Sequence, residues 1–274
     1  MPTNSTDLQQ QINAASKAAT QKNVPTGVMQ LKHLMGSDVI KQKFNDVLKD
    51  SAPQFMSSII NLVNSNQSLQ DVDQTSVISS ALVAATLNLP IDQNLGYAWV
   101  VPFKDWKRDN QKFGQFQLGY KGYIQLALRT GQYKHINAEP VYEGEIKNWD
   151  RFTETFDRGE KTSDKVVGYL GYFELVNGFS KTVYWSKEDI EAHRIKFSKA
   201  RDKAALTGVW KDNYDAMATK TVIRNLLSKW GILSVEMQKA AVSDEQPMTL
   251  NGDNEPEAAI RDVTEFPEVI ETKE

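Results

Sequence analysis

The spacing of apolar residues changes twice along the chain, and this change limits the fold more than any other feature of the sequence. From about residue 37 to 89, apolar side chains recur every three or four residues, as on one face of a helix. From about 97 to 185, short aromatic and β-branched stretches alternate with polar residues, which is the period of a strand. Helical spacing returns after Ser186, and we see no internal repeat. The order of these blocks predicts an α+β domain, with helices flanking a small antiparallel hairpin or meander core.

The helical blocks carry recognisable boundaries. Ser37 is predicted to cap a first helix, and two further helices are predicted at about 53–64 and 75–89. In the last block, Ser186 followed by Asp189 resembles a capping box that opens a helix over about 187–205. A final helix is predicted from about 212 to 230.

The central block predicts two hairpins. Residues 98–103 and 112–120 form the first, which has a basic tip and runs directly into a helix over 121–129. Three further strands are predicted in NAEPVYEGE, VVGYLGYFEL and KTVYW. Asn177-Gly178 separates the last two, and this dipeptide is a strong hairpin signal.

The charge is unevenly distributed. Residues 242–274 hold ten acidic and two basic residues, a net charge of −8, so the remaining 30 basic and 25 acidic residues give +5. We therefore expect a flexible arm at 1–30, a folded core at 31–241, and an acidic, largely disordered tail at 242–274. The tail could compete weakly for a basic groove, present a short apolar segment to a partner, or simply aid solubility.

Several classes of function are disfavoured. The chain has no cysteine, its three histidines lie far apart, and it lacks G-x-x-x-x-G-K-[ST], G-x-G-x-x-G and H-E-x-x-H. The nearest acidic group that a metal-dependent nuclease could use is Asp71 and Asp73 before a helix, with Asp92 and Asp105 further along the chain. For Asp at a helix start, capping is the favoured role over metal binding. We expect no cofactor, no metal and no catalysis. The sequence shows no stretch that resembles a signal peptide or could span a membrane, so we expect a soluble, intracellular protein.

Two segments have a local excess of positive charge. Seven basic and two acidic residues lie between Lys104 and Lys134, interleaved with aromatics, and nine basic and three acidic residues lie between Arg194 and Lys229. Such an excess suits a groove along a phosphate backbone, and aromatic faces suit stacked bases. A solvated charged face over an ordinary core remains the alternative.

The sequence LGYKGYIQLALRTGQ (118–132) places Lys121 near a predicted helix start, where free N–H groups favour an anion. Tyr120 offers a flat face beside it. The alternative is that the glycines close an ordinary turn. In the last helix, Lys220 and Arg224 lie one turn apart, and they repel each other unless an anion or a carboxylate lies between them.

Three blocks then resemble the RecT family of phage and prophage single-strand annealing proteins. They are TSVISSALVAATLNLPIDQNLGYAWVVPF (75–103), QLGYKGYIQLALRTGQ (117–132) and the core M-A-x-K-T-x-I-R (217–224). The resemblance covers about residues 30–245. It implies an ATP-independent protein whose core at 31–241 is a DNA-binding and oligomerisation unit, which binds single-stranded DNA and annealed duplex and assembles into rings or helical filaments. It also implies that the protein works beside a phage exonuclease in the cytoplasm of a bacterial host. For the tail it favours a partner role, with that exonuclease or a host single-strand-binding protein as candidates.

The basic segments, the glycine turn and the resemblance together give one set of predicted DNA-binding residues: Lys104, Lys107, Arg108, Lys112, Phe113, Gln117, Tyr120, Lys121, Gly122, Arg129, Arg194, Ser198, Lys199, Arg201, Lys203, Lys220, Thr221 and Arg224. The competing functions are a passive single-strand-protecting protein and a metal-dependent nuclease.

Overall fold

The computed structural model describes residues 26–105, 111–197, 202–232, 234, 243–244, 248–251, 253 and 256–258. N-terminal helices pack on a first β-hairpin, and a three-stranded antiparallel sheet carries the last helices. The mixture of helices and small antiparallel sheets confirms the α+β prediction.

The N-terminal layer is made of α1 (Thr26–Met35), α2 (Asp38–Leu48), α3 (Ala52–Ser65), α4 (Gln67–Gln70) and α5 (Gln74–Thr86), with a 3₁₀ turn at Lys49–Ser51. Ser37 caps α2 as predicted, because its Oγ accepts a hydrogen bond from the Ile40 N–H at 3.3 Å. Helix α1 includes residues 26–30, which the sequence analysis places in the arm. Val28 is buried in the core, so the folded body starts earlier than residue 31.

The predicted hairpin is present as the antiparallel pair β1 (Ala98–Asp105) and β2 (Gln111–Leu118), followed at once by α6 (Tyr120–Arg129). Its tip, residues 106–110, lies outside the described residues.

The three predicted strand segments form one sheet in the order β3-β6-β7, from β3 (Tyr133–Tyr142), β6 (Val166–Leu175) and β7 (Ser180–Ser186). The Asn177-Gly178 turn joins β6 to β7, and Gly178 has a φ of +87° that suits glycine. A second hairpin, β4 (Ile146–Asp150) with β5 (Thr155–Arg158), is inserted between β3 and β6. The sequence analysis missed it because its strands are short and polar.

The last helices are α7 (Lys187–Phe197), α8 (Val209–Asp212) and α9 (Tyr214–Trp230). The capping box is confirmed, since Ser186 N–H donates to Asp189 Oδ2 at 3.1 Å and Asp189 N–H donates to Ser186 Oγ at 3.1 Å. The predicted extension of α7 to residue 205 is wrong, because residues 202–205 form bends. None of the helices in the described ranges is both long and apolar enough to cross a membrane.

Part of the predicted tail packs on the body. Ser243 and Asp244 are buried, and β8 (Met248–Leu250) pairs with β9 (Pro256–Ala258) against α5. The folded body therefore extends beyond the predicted boundary at residue 241. Residues 245–247, 252, 254–255 and 259–274 of the tail lie outside the described residues.

Helix α5 is the centre of the core, and two of its serines fasten it to the hairpin. The Gly114 N–H donates to Ser76 Oγ at 2.7 Å, and Ser80 Oγ donates to the Gly114 carbonyl at 2.8 Å. Pro102, which lies opposite Gly114, has no N–H to donate. A side chain at Gly114 would collide with Val77, at 2.9 Å from its Cγ2. The bare backbone of Gly114 thus lets helix and hairpin approach closely.

Replacing Ser80 by alanine should lower the free energy of unfolding by about 1–3 kcal/mol, because a buried carbonyl would lose its donor. Chemical denaturation followed by circular dichroism measures this change. Ser57, exposed on α3, also bonds a carbonyl, and Ser57→Ala should change stability by no more than about 0.5 kcal/mol. Equal losses in the two variants would contradict the proposed fastening.

Candidate nucleic-acid interface

One face of the β1–β2 hairpin combines aromatic and amide side chains. Residues opposite each other in an antiparallel pair share a face, and the register pairs Trp99 with Gln117 and Val101 with Gln115. The other face, which includes Phe116, enters the core. Trp99, Val101 and Gln117 are partly exposed. This first face, which we call the hairpin face, offers the Trp99 ring and the Gln117 amide as partly exposed groups.

The carboxylate of Asp244 links two cations of α9, Lys220 and Arg224, to the end of the hairpin. Lys220 Nζ lies 2.9 Å from Asp244 Oδ1, and Arg224 Nη1 lies 3.9 Å from Asp244 Oδ2. The backbone N–H of Leu118, at the end of β2, donates to the same Oδ1 at 2.8 Å. The side chain of Gln115 donates to the Asp244 carbonyl at 3.0 Å. The carboxylate supplies the negative charge that the spacing of Lys220 and Arg224 requires.

The start of α6 adjoins this cluster, because Gly119 follows Leu118 directly. A Cβ at Gly119 would lie 2.1 Å from the Gly96 carbonyl oxygen, and one at Gly122 would lie 2.2 Å from the Tyr97 carbonyl oxygen. Both glycines are therefore needed for close backbone approach. Lys121 is exposed on the first turn of α6, where the helix dipole adds to its positive charge. The structure thus brings the turn at Gly119 and Gly122 close to the α9 cations, although the two segments are about 100 residues apart in sequence.

We call the group formed by Lys220, Arg224 and the Leu118 N–H the anion cradle. Two positive charges and a fixed N–H donor converge on oxygen atoms, which is the arrangement that a phosphate group of nucleic acid requires. The hairpin face beside it offers the Trp99 ring to a base or a sugar. The combined surface can hold a backbone phosphate and a stacked ring at neighbouring points.

A second group of predicted residues lies toward the other end of the hairpin. Lys104 and Lys112 are opposite each other on β1 and β2, and Lys112 Nζ lies 3.6 Å from Asp71 Oδ2. Lys107 and Arg108, predicted at the tip, lie outside the described residues.

Other predicted residues have contacts that give them a structural role. Arg194 is 5% exposed, and its guanidinium binds Glu191 and the carbonyls of residues 203–205. Arg129 donates to the carbonyls of Leu87 and Asn88 at 2.6 and 2.9 Å, just after the end of α5.

Phe113 is 8% exposed and Gly122 is buried, so both residues have a structural role in the packing of the body. Thr221 Oγ donates to the Met217 carbonyl within α9 at 2.9 Å. Tyr120 and Gln117 are partly exposed near the cradle. We leave Arg194, Arg129, Phe113 and Gly122 out of the proposed surface.

The remaining predicted cations lie beyond α7. Lys203 is exposed on the turn that Arg194 holds through carbonyl oxygens. Ser198, Lys199 and Arg201 lie outside the described residues.

The sequence analysis missed three contributors, namely Trp99, Gln115 and Asp244. The strand register could have pointed to the first two, since each lies opposite or between residues of the predicted surface. No sequence pattern pointed to Asp244, because the acidic composition of its neighbours predicts a disordered tail.

The acidic residues considered for a nuclease have other contacts. Asp73 caps α5 through the Thr75 N–H at 3.1 Å, which confirms the capping prediction. Asp92 accepts from the Asn94 N–H at 2.8 Å in a turn. Within the described ranges, no three His, Cys, Asp or Glu side chains converge as metal ligands would.

His193 on α7 lies at the border of this surface. Its ring packs against Trp185 and Phe197, with centroid distances of 5.3 and 4.5 Å. Burial, together with the positive charges of Arg224 and Lys196, lowers the pKa of His193 below its ordinary value. The folded protein therefore keeps this imidazole neutral at pH values where the unfolded chain already protonates it.

This shift should make the fold less stable in mild acid. The lowered pKa means that stability is full above the unfolded-state pKa of about 6.5 and falls below it, since the unfolded chain then binds more protons. We expect the free energy of unfolding to fall more steeply between about pH 7.5 and 5.5 in the wild type than in His193→Gln. Urea titrations at several pH values measure both slopes, and identical slopes would contradict the assignment.

Comparison with known proteins agrees with the resemblance seen in the sequence. The model of the RecT family matches residues 53–261, which is most of the chain. The uncharacterized protein YqaK of Bacillus subtilis (strain 168) is 50% identical over 265 residues, covering 92% of this chain and 89% of that protein. Protein RecT of Escherichia coli (strain K12) is 30% identical over 193 residues, covering 67% of this chain and 68% of that protein. The chain therefore belongs to the RecT family.

Proposed function

We propose that this protein binds single-stranded DNA and anneals complementary strands without ATP, as an oligomer assembled on the DNA. Membership of the RecT family supports single-strand annealing in recombination in general. The observation that carries the proposal is the anion cradle beside the hairpin face, because it pairs phosphate-binding groups with a ring surface.

The proposed mechanism needs no bond chemistry in the protein. Two complementary strands repel each other through their phosphates, and cations along the protein surface neutralise that charge. Lys220, Arg224 and Lys121 would bind phosphates, while Trp99 would support a ring without reading its edge. The edges of the bases then remain open to a second strand, and little sequence preference follows.

The proposal includes no nucleotide cofactor, since the chain lacks the glycine-rich loop that cradles ATP phosphates. The free energy that drives annealing would come from base pairing itself. A phage exonuclease and a host single-strand-binding protein are the proposed partners, and the cytoplasm of the bacterial host is the proposed location.

Assembly is the second part of the proposal. Repetition of one cradle along a strand multiplies phosphate contacts and makes binding cooperative. Helix α2 exposes two large apolar side chains, Val39 at 53% and Val47 at 41%. We propose that this part of the N-terminal layer packs against a neighbouring subunit.

Removing single cations should weaken DNA binding and reduce its salt dependence. Lys121→Ala, Lys220→Ala and Arg224→Ala should each weaken binding to oligodeoxythymidylate several-fold and lower the slope of log K against log salt by about 0.7 per lost contact. Fluorescence anisotropy at several salt concentrations measures both quantities. The same loss should appear with mixed-sequence strands.

Lys165→Ala is the matched control, because Lys165 is an exposed cation just before β6 that pairs with Glu143 at 3.6 Å. It should leave affinity and slope unchanged. Since Lys220→Ala also removes the partner of Asp244, thermal melting must show that this variant folds. Unchanged slopes in the Lys121, Lys220 and Arg224 variants would reject the proposed surface.

The assembly proposal is tested by placing a charge on the apolar side of α2. Val39→Asp should abolish annealing while leaving the monomer folded, because a buried carboxylate at a subunit contact is costly. Asn45→Asp puts the same charge on an exposed polar position of the helix and should anneal normally. Annealing by Val39→Asp at the wild-type rate, from a protein shown to be monomeric on DNA, would refute assembly as a requirement.

A passive coat on single strands and an annealing protein predict opposite effects on the rate of strand pairing. A coat that only protects single strands slows their pairing, whereas an annealing protein speeds it. Stopped-flow mixing of complementary labelled strands, with and without the protein, separates the two, and intact product strands in the presence of magnesium separate both from a nuclease.

A further inference from the structure

The anion cradle is occupied by the chain itself. Asp244 lies 24 residues beyond Lys220, and its side chain is 3% exposed. Its Oδ1 receives both the Lys220 ammonium at 2.9 Å and the Leu118 N–H at 2.8 Å. Its Oδ2 faces Arg224 at 3.9 Å. One carboxylate therefore takes the position, the charge and the donors that a phosphate oxygen pair would take.

Within the described residues, the contacts that hold Asp244 in place are polar. The segment described here is Ser243-Asp244, and neither side chain adds apolar area to the core. Asp244 is held by the ion pairs with Lys220 and Arg224, by the Leu118 N–H and by the Gln115 amide. Ion pairs and hydrogen bonds of this kind can be exchanged for equivalent ones with a phosphate at little net cost, whereas removal of a buried apolar side chain would leave a cavity.

We propose that Asp244 is a built-in competitor of DNA, which closes the anion cradle in the free protein and is displaced by a backbone phosphate. This proposal rests on the proposed function, since it names the regulation of the same site. On binding, Lys220, Arg224 and the Leu118 N–H transfer from the carboxylate to a phosphate, and Ser243-Asp244 moves away from β2. The apolar contact of Leu250 with the core is independent of this exchange.

Such competition selects for long polyanions. A single small anion gains only the contacts that Asp244 already makes, so it has little advantage over an intramolecular carboxylate at high effective concentration. A DNA strand brings neighbouring phosphates to Lys121 and a ring to the hairpin face in the same event. The apparent affinity of the free chain is lowered by the fraction of molecules in which the cradle is open.

Asp244→Asn in the full-length chain tests this competition. Asparagine keeps the shape and can accept from the Leu118 N–H, but it removes the charge that holds Lys220 and Arg224. We expect binding to oligodeoxythymidylate to tighten by about five-fold at low salt, if the closed form makes up about four fifths of the free protein. Fluorescence anisotropy gives the dissociation constants.

Asp253→Asn is the matched control, because Asp253 is an exposed acid of the same C-terminal segment. It removes the same net charge and should change affinity by less than about two-fold. Equal tightening in both variants would mean a general charge effect and would overturn the inference. Weaker binding by Asp244→Asn would also overturn it, because Asp244 would then be a support of the binding surface.

Hydrogen–deuterium exchange on the wild type avoids any question of variant folding. Addition of oligodeoxythymidylate should raise exchange at the amides of Ser243 and Asp244 while it lowers exchange in residues 118–122. DNA binding without increased exchange at Ser243 and Asp244 would reject the displacement and leave the proposed function standing.

Inorganic triphosphate at high concentration tests the displacement of Asp244 even if the protein does not bind DNA, because it has phosphates but no sugars or bases. Increased exchange at Asp244 with triphosphate, in a protein that does not bind oligodeoxythymidylate, would support the displaceable carboxylate and reject the proposed function. If neither probe increases exchange, Asp244 is a permanent structural contact and the inference falls.

Discussion

The attachment of α5 to the bare backbone of Gly114 is the constraint on which the rest of the molecule depends. Two serines one helical turn apart satisfy both polar groups of this residue, and Val77 leaves no room for a side chain. This attachment sets which face of the hairpin enters the core, because the side chains of a strand alternate. A shift of one residue would exchange the buried and the exposed sets.

The exposed chemistry follows from that register. With Phe116 and Leu118 buried, Gln115 and Gln117 must lie on the opposite side, across from Val101 and Trp99. The chain then turns at Gly119 into α6, and close backbone approach holds the end of β2 against residues 96 and 97. The Leu118 N–H is fixed in space by this packing. A rigid donor at this point is what makes the neighbouring cations of α9 into a defined site instead of a diffuse basic patch.

In our proposal, the cradle is also the means by which a protein with a small net charge would bind a polyanion. The body has a modest positive charge, and the acidic C-terminal part more than cancels it. Much of its negative charge lies outside the described residues, but Asp244 is placed directly on the binding groups. One residue therefore connects the global charge balance to a single pair of cations, and in our proposal the competition between carboxylate and phosphate would be a local exchange of equivalent contacts.

The sequence by itself determined the α+β class, the boundaries of most helices, the β1–β2 and β6–β7 hairpins, and the family. These are set by local periodicity, by capping and turn residues such as Ser37 and Gly178, and by motifs within short windows. It could not show that Arg194 and Arg129 are engaged by carbonyl groups, since a cation in a basic segment looks the same whether it faces solvent or the backbone. Only the tertiary structure decided that Asp244 reaches back to the cations of α9. That contact joins residues far apart in sequence, and its partners come together only when the hairpin and α9 pack on one core.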